Sequence, residues 1–334
     1  MKMMKCVFIM VALCLSFKAF AATIDNTCSD FYNQDHKFSF SVDALCWQVI
    51  ETPVWCYTVN GEISQNPQVR NDKSLSFGFR PGFRLNLGYQ NPCNDFDIRG
   101  SYSFYYTSLK SKETGSWVTP TFLPGRVLLS HDFYDSASIN WCIKFNIIDL
   151  DIGSTFINSP YLKIRPFIGL KGGWIFQDID GLWQNPKING ARVVIDDYEK
   201  LTNYFYGVGP KIGCCNFWTF IASSKFNVSL STAFQASYLL GHWKLTDNLT
   251  TTQTGVLGAS TNLGNRHYGT FVFQANISLS TSYQLADGKY RLKASFGYEV
   301  QDWLNQYQVL DDLAGANNLS LILHGFMLNL GVDF

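Results

Sequence analysis

Apolar and polar residues alternate one by one along most of this chain. Counted back from the last residue, Phe334, Val332, Leu330, Leu328 and Phe326 share one phase, while Asp333, Gly331, Asn329 and Gly325 fill the other, with Met327 the one misfit. A period of two belongs to a strand whose faces meet different surroundings. The pattern recurs upstream. Phe79, Phe83, Leu85, Leu87 and Tyr89 oppose Arg80, Gly82, Arg84, Asn86 and Gly88, and Phe96, Ile98, Tyr102, Phe104 and Tyr106 oppose Asp97, Arg99, Ser101 and Ser103. Further strands are predicted over 38–49, 139–156, 161–177, 204–213, 226–243, 271–285 and 290–303. Two of them slip phase, at Ala44-Leu45 and at Ile147-Ile148, and each slip predicts a β-bulge. Pro166 lies inside the 161–177 strand and predicts a local irregularity.

The connections between these strands alternate in length. Long polar stretches cover about 51–73, 108–136, 179–199 and 244–266, and short turns fall near 90–95, 158–160, 214–224 and 286–288. An antiparallel cylinder with both chain ends on its periplasmic side has that order, with long loops outside and short turns inside. The fold class expected is therefore all-β, a transmembrane antiparallel up-and-down β-barrel of about 10 strands. Val54 to Val59 is read as part of a loop; pairing of that segment and one other would raise the number to 12.

The N-terminus agrees with export. Lys2 and Lys5, the apolar run from Val7 to Phe17, and Ala19-Phe20-Ala21 form a secretory signal peptide over 1–21, followed by a periplasmic leader over 22–36 and the barrel over 37–334. Without the signal peptide the chain holds 23 basic and 26 acidic residues, a balance that argues against a nucleic-acid partner. Aromatic residues make up 16% of the sequence and no apolar run is long enough for a membrane helix, which favours spanning by strands.

Several segments resemble the Legionella-type pore-forming outer-membrane proteins, a family of major-outer-membrane-protein-like porins also present in environmental chlamydiae. They are Ala44-Leu-Cys-Trp47, Pro81 to Tyr89 followed by Asp95-Phe-Asp97, Asp149 to Gly153, Ile164 to Leu170, Tyr206 to Gly213, Gly297 to Trp303 and the last strand. The resemblance runs in order through nearly the whole chain after the signal peptide. It implies an outer-membrane porin of a Gram-negative bacterium and supplies no catalytic residues.

Charged residues on the polar phases are expected to line the pore, because Arg or Lys facing lipid at mid-membrane costs about 2–4 kcal/mol. They are Arg80, Arg84, Arg99, Lys144, Lys163, Arg165, Lys171, Lys211, Arg291 and Lys293, against Asp149, Asp151 and Glu299, with Asp97 also acidic. Their positive excess points to passive diffusion of small hydrophilic solutes with a mild anion preference. Cross-lumen pairing that plugs the barrel is the alternative. The function would then be that of a structural or adhesive surface protein, disulfide-linked to the envelope.

Trp47, Trp174, Trp243, Tyr89, Tyr106 and Tyr283 lie near predicted strand ends and suit an interfacial girdle. Phe334 ends the chain as an assembly signal for the barrel-assembly machinery. Seven cysteines remain after the signal peptide, an odd number in an oxidising compartment. Cys28, Cys93, Cys214 and Cys215 are expected on the periplasmic side, where they would link neighbouring subunits of a homo-oligomer or other envelope proteins. The five histidines are scattered, no nucleophile elbow is present, and no spacing suggests a metal or cofactor, so no enzyme is expected. The remaining partner is outer-membrane lipid.

Overall fold

The computed structural model describes residues 38–50, 54–60, 69–91, 96–121, 133–159, 161–188, 191–192, 196–223, 225–251, 257–285, 289–311 and 315–334. The signal peptide, the leader with Cys28, and Cys93 lie outside them. Among the described residues there are fourteen strands: β1 (Phe38–Ile50), β2 (Val54–Asn60), β3 (Val69–Ser74), β4 (Arg80–Asn91), β5 (Phe96–Pro120), β6 (Phe133–Ser154), β7 (Phe156–Ser159), β8 (Leu162–Ile188), β9 (Ala191–Arg192), β10 (Asp196–Ala222), β11 (Phe226–Thr251), β12 (Leu257–Leu285), β13 (Tyr290–Asp311) and β14 (Gly315–Asp333). Ten of them close a cylinder in the order β1, β4, β5, β6, β8, β10, β11, β12, β13, β14 and back to β1, every pair antiparallel. The seam is made by β14, whose register runs from Ser39 against Asp333 to Ile50 against Ile322. Phe38 and Phe334 exchange backbone hydrogen bonds of 2.9 Å at its lower end, where the chain terminates. Closure leaves the cylinder wall no free edge, which a spanning sheet requires.

Val54 to Val59 is not a loop. It forms β2, pairs with β3, and adds to the outer end of β5 through Cys56 opposite Pro120. Most of the predicted long loops are strand as well. The segments 108–120, 179–188, 196–199, 244–251 and 257–266 continue the staves well past the lipid band. Many of their described outward residues are polar, such as Lys110, Lys112, Asp180, Lys244 and Asn248, so hydropathy alone reads these segments as loops.

Neither predicted bulge exists. The register of β1 passes through Ala44 and Leu45 without a break on both sides, and β6 does so at Ile147 and Ile148. What changes there is the environment and not the pleat. In the lower half the outward phase is apolar, as with Phe40, Leu87, Ile168 and Leu330, all exposed. In the upper half the inward phase is apolar: Leu45, Trp47, Val49, Ile139, Trp141, Ile143, Phe145, Leu321 and Leu323 are buried. Met327, the misfit of the last strand, is an inward residue at the lower edge of this interior. Pro166 does sit at an irregularity. The β6 ladder on β8 ends at Phe167 and resumes with β7 at Ile164, so the missing N–H falls in the gap.

Candidate functional site

The lumen is the site the sequence points to, and two stacked layers fill it. The upper layer is an aromatic septum. Rings meet from wall to wall: Trp47 lies 5.8 Å from Tyr105 and 6.3 Å from Phe145, Phe145 is 5.2 Å from Trp303, Trp303 is 6.4 Å from Phe205, Phe205 is 4.6 Å from Trp243, and Trp243 stacks at 4.0 Å on Tyr268. This chain of contacts crosses from β1, β5 and β6 to β13 and on to β10, β11 and β12. Trp47, Phe145, Phe205, Trp243 and Trp303 are at most 1% exposed. Each buried aromatic contributes on the order of 2–3 kcal/mol from its apolar area, with tilted and edge-on pairings adding to that. Above it, Trp55 of β2 packs 5.9 Å from Trp183, which is 6.0 Å from Tyr134. The added hairpin thus covers the interior from the loop side.

Directly beneath lies an ionic layer. Arg84 binds Glu299 through two parallel hydrogen bonds of 2.9 and 2.8 Å, reaches Asp43 at 3.5 Å, and donates to Ser103 at 2.8 Å. Lys171 and Lys211 share Asp149 at 2.9 and 3.0 Å, and Lys211 also meets Asp151 at 3.3 Å. Arg165 donates to Asp97 at 2.7 Å and to Asp151 at 2.6 Å. Its guanidinium occupies space left by Gly153, where a Cβ would come within 2.7 Å of the guanidinium carbon. Arg99 completes the group at 3.3 Å from Asp97. Lys171 extends across the lumen to Gln274 of β12. Five cations face five carboxylates here, Asp43 among them, so the layer is neutral. The cations also press on rings: Arg84 lies over Trp47, Lys171 over Trp303, and Arg165 and Lys211 over Phe167. An unpaired charge at such depth would cost several kcal/mol, and pairing with full hydrogen bonding offsets it.

The expected pore-lining set therefore divides. Arg84, Asp149, Asp151, Arg165, Lys171, Lys211 and Glu299 do face the interior, as parts of the closed layer. Arg99 forms the half-exposed lower edge of that layer, and Lys163, Arg291 and Lys293 are on the inward phase at the lower mouth, where Lys293 pairs with Asp333. Arg80 is solvent-exposed at the start of β4. Lys144 is a correction: it points outward, in phase with Ile148, Leu150 and Ile152. The penalty for a lipid-facing charge does not reach it, because it sits beside Tyr106 and Phe176 at the upper rim of the lipid band.

Trp47 and Trp243 are corrections too, belonging to the septum and not to the girdle. Cys214 and Cys215 lie within β10, opposite Pro166 and Arg165, and not in a periplasmic connector. The strand continues through the supposed connector to Ala222. Cys215 faces the interior, out of reach of a neighbouring chain, and Cys214 faces lipid.

Asp43 is a further lumen charge, beyond those expected from the sequence, and it shares the phase of Ser39 and Ser41. That phase was the signal. The same parity carries Asp43 on to Leu45 and Trp47, and Glu299 on to Gln301 and Trp303.

Comparison with known proteins returns outer-membrane barrels. The outer membrane protease OmpT of Escherichia coli is 10% identical over 92% of this chain and 99% of its own, with a TM-score of 0.36. The translocator domain of the autotransporter NalP from Neisseria meningitidis is 10% identical over 97% and 98%, also at 0.36. A FadL homologue of Pseudomonas aeruginosa is 9% identical over 90% of each chain, at 0.30. Likeness at this level extends to no activity. No curated protein matches the chain. The model of one family, described as the Legionella pneumophila major outer membrane protein precursor, matches residues 32–334. With a closed ten-stave barrel, a lipid-facing apolar band and this match over nearly its whole length, the chain belongs to that outer-membrane protein family.

Proposed function

We propose that this protein works as a closed barrel: a non-enzymatic structural or adhesive protein of the outer membrane, whose working surface is the half that rises above the lipid. One observation carries the reading, the unbroken run of ring contacts from Trp47 to Tyr268 across the lumen. The ionic layer beneath is neutral, which confines the inward positive charge on which an anion preference would rest to Lys163, Arg291 and Lys293 at the mouth. With Cys214 and Cys215 inside β10, a disulfide link to the envelope would fall to Cys28 and Cys93, which lie outside the described residues, and monomer alone on non-reducing gels of native envelopes would dismiss that link.

A second reading, passive diffusion of small hydrophilic solutes, is favoured by a different feature. Below the ionic layer the inward residues are small and polar, among them Ser39, Ser41, Ser280, Ser282, Ser295 and Gly331, with Arg99 at the layer's lower edge and Lys293 at the mouth each nearly half exposed. A channel would require the septum to part.

Planar-bilayer recording distinguishes the two. Wild-type protein is expected to insert without conductance steps, and a Phe145→Ala/Trp303→Ala variant to conduct. Steps from the wild type would overturn the closed barrel, and the reversal potential under a salt gradient would then give the ion preference of the channel.

A further inference from the structure

The outer wall above the lipid band is asymmetric in charge, and the register places each charge in a row. The row at the upper rim reads Tyr106, Lys144, Phe176, Tyr204 and Lys244 across β5, β6, β8, β10 and β11. Four residues further up each strand, about 13 Å at the strand rise, the row reads Lys110, Asn140, Asp180, Lys200 and Asn248. Lys112 stands in the next row. All five lysines are exposed, and none makes an ion pair among the described residues. The acids on this face are Asp178 and Asp180, with Asp196 higher on β10, where it accepts a hydrogen bond from Gln184. Two shallow depressions share Asp180 in their lining; Lys110 and Lys112 line one, and Lys200, Tyr198 and Glu199 line the other.

The opposite flank at the same height is different. Its outward positions on β13, β14 and β1 are Val300, His324 and Gln48, then Asp302, Ile322 and Ile50, with no Lys or Arg. A cationic face that starts in the aromatic rim row stands at the level of lipid headgroups. Aromatic rings mark that level, and basic clusters beside it attract anionic headgroups.

We propose that Lys110, Lys112, Lys144, Lys200 and Lys244 form a binding face for phosphorylated lipid headgroups of the outer leaflet. Lys144 meets the phosphates nearest the acyl chains, and Lys244, higher because the row climbs with the strand tilt, meets those above. Lys110, Lys112 and Lys200 take those projecting further out, with the depressions beside Asp180 as seats. The lipid shell is therefore ordered on one flank of the barrel.

The test compares melting of the full-length protein in phosphatidylcholine vesicles containing diphosphoryl lipid A with melting in vesicles containing its dephosphorylated form. Heat-modified gel mobility serves as the readout. Wild type should melt higher with the phosphorylated lipid, and added salt should shrink the shift. The shift should be lost when all five lysines are changed to Gln, and halved by Lys144→Gln/Lys244→Gln should the fivefold variant not fold. Lys225→Gln/Lys289→Gln, at the periplasmic turns, should keep it. An unchanged shift in the rim variants overturns the proposal. So does equal protection of wild type by soluble dextran sulfate in plain phosphatidylcholine vesicles, which would assign the face to free polyanions.

Discussion

The lower and upper halves of this barrel use one pleat with its two environments exchanged. In the lower half, Leu328 and Leu330 face lipid while Asn329 and Asp333 face inward. In the upper half of the same strand, Leu321 and Leu323 face inward and are at most 1% exposed. The membrane sets the first arrangement, since lipid demands apolar side chains outside. Water sets the second, since a wall with solvent outside buries its apolar residues within. No bulge is needed to pass from one to the other. The two interiors also hold differently: charge pairs bind the lower one, and ring contacts the upper.

The largest effect should come from breaking the lower interior. Glu299→Leu leaves Arg84 buried without its bidentate partner and is expected to cost about 3–5 kcal/mol in denaturant unfolding from lipid vesicles. Adding Arg84→Met should recover most of that loss, and a double variant as unstable as the single one would deny that the pair acts as a unit. The upper interior should show no such rescue. Phe145→Ala is expected to cost about 3–4 kcal/mol through lost contact and a cavity, and combining it with Trp303→Ala should deepen the loss; recovery would contradict the septum.

A charge moved onto the outer wall reports which half is in lipid. Leu328→Arg should destabilise by about 2–4 kcal/mol, whereas Asn140→Arg on the upper wall should stay within about 0.5 kcal/mol. Similar costs at the two sites would mean that the lipid band reaches higher than the aromatic rim. The smallest effect concerns reactivity. Burial, and secondarily Glu113, push the Cys56 thiol up to about 12, so at mildly alkaline pH it remains a neutral thiol. Alkylation of folded protein should spare Cys56 until the hairpin unfolds, and rapid labelling would place β2 away from the barrel mouth.

Strand existence, the closing last strand and the alternation of turns were legible because period two survives any change of environment. The identity of the inward charges was legible for the same reason, with Arg84, Arg165 and Glu299 all on the expected phase. Lys144 misled because it was assumed to stand at mid-membrane, and phase alone does not give height. Trp47 and Trp243 misled because a tryptophan near a strand end suits an interface as well as a core. The 244–250 stretch departs from the expected loop because its polar outward residues hide a buried inward phase, with Leu245 and Leu249 in it.

By itself the sequence determined the side on which each residue stands, since neighbouring side chains in a strand must point opposite ways. Only the closed structure decided what each side faces. Whether an inward apolar residue meets a partner across the lumen, or an inward charge finds its counter-ion, depends on the curvature and register that bring β13 to β4 and β8 to β12. These contacts join residues as far apart as Arg84 and Glu299, and no local pattern encodes them.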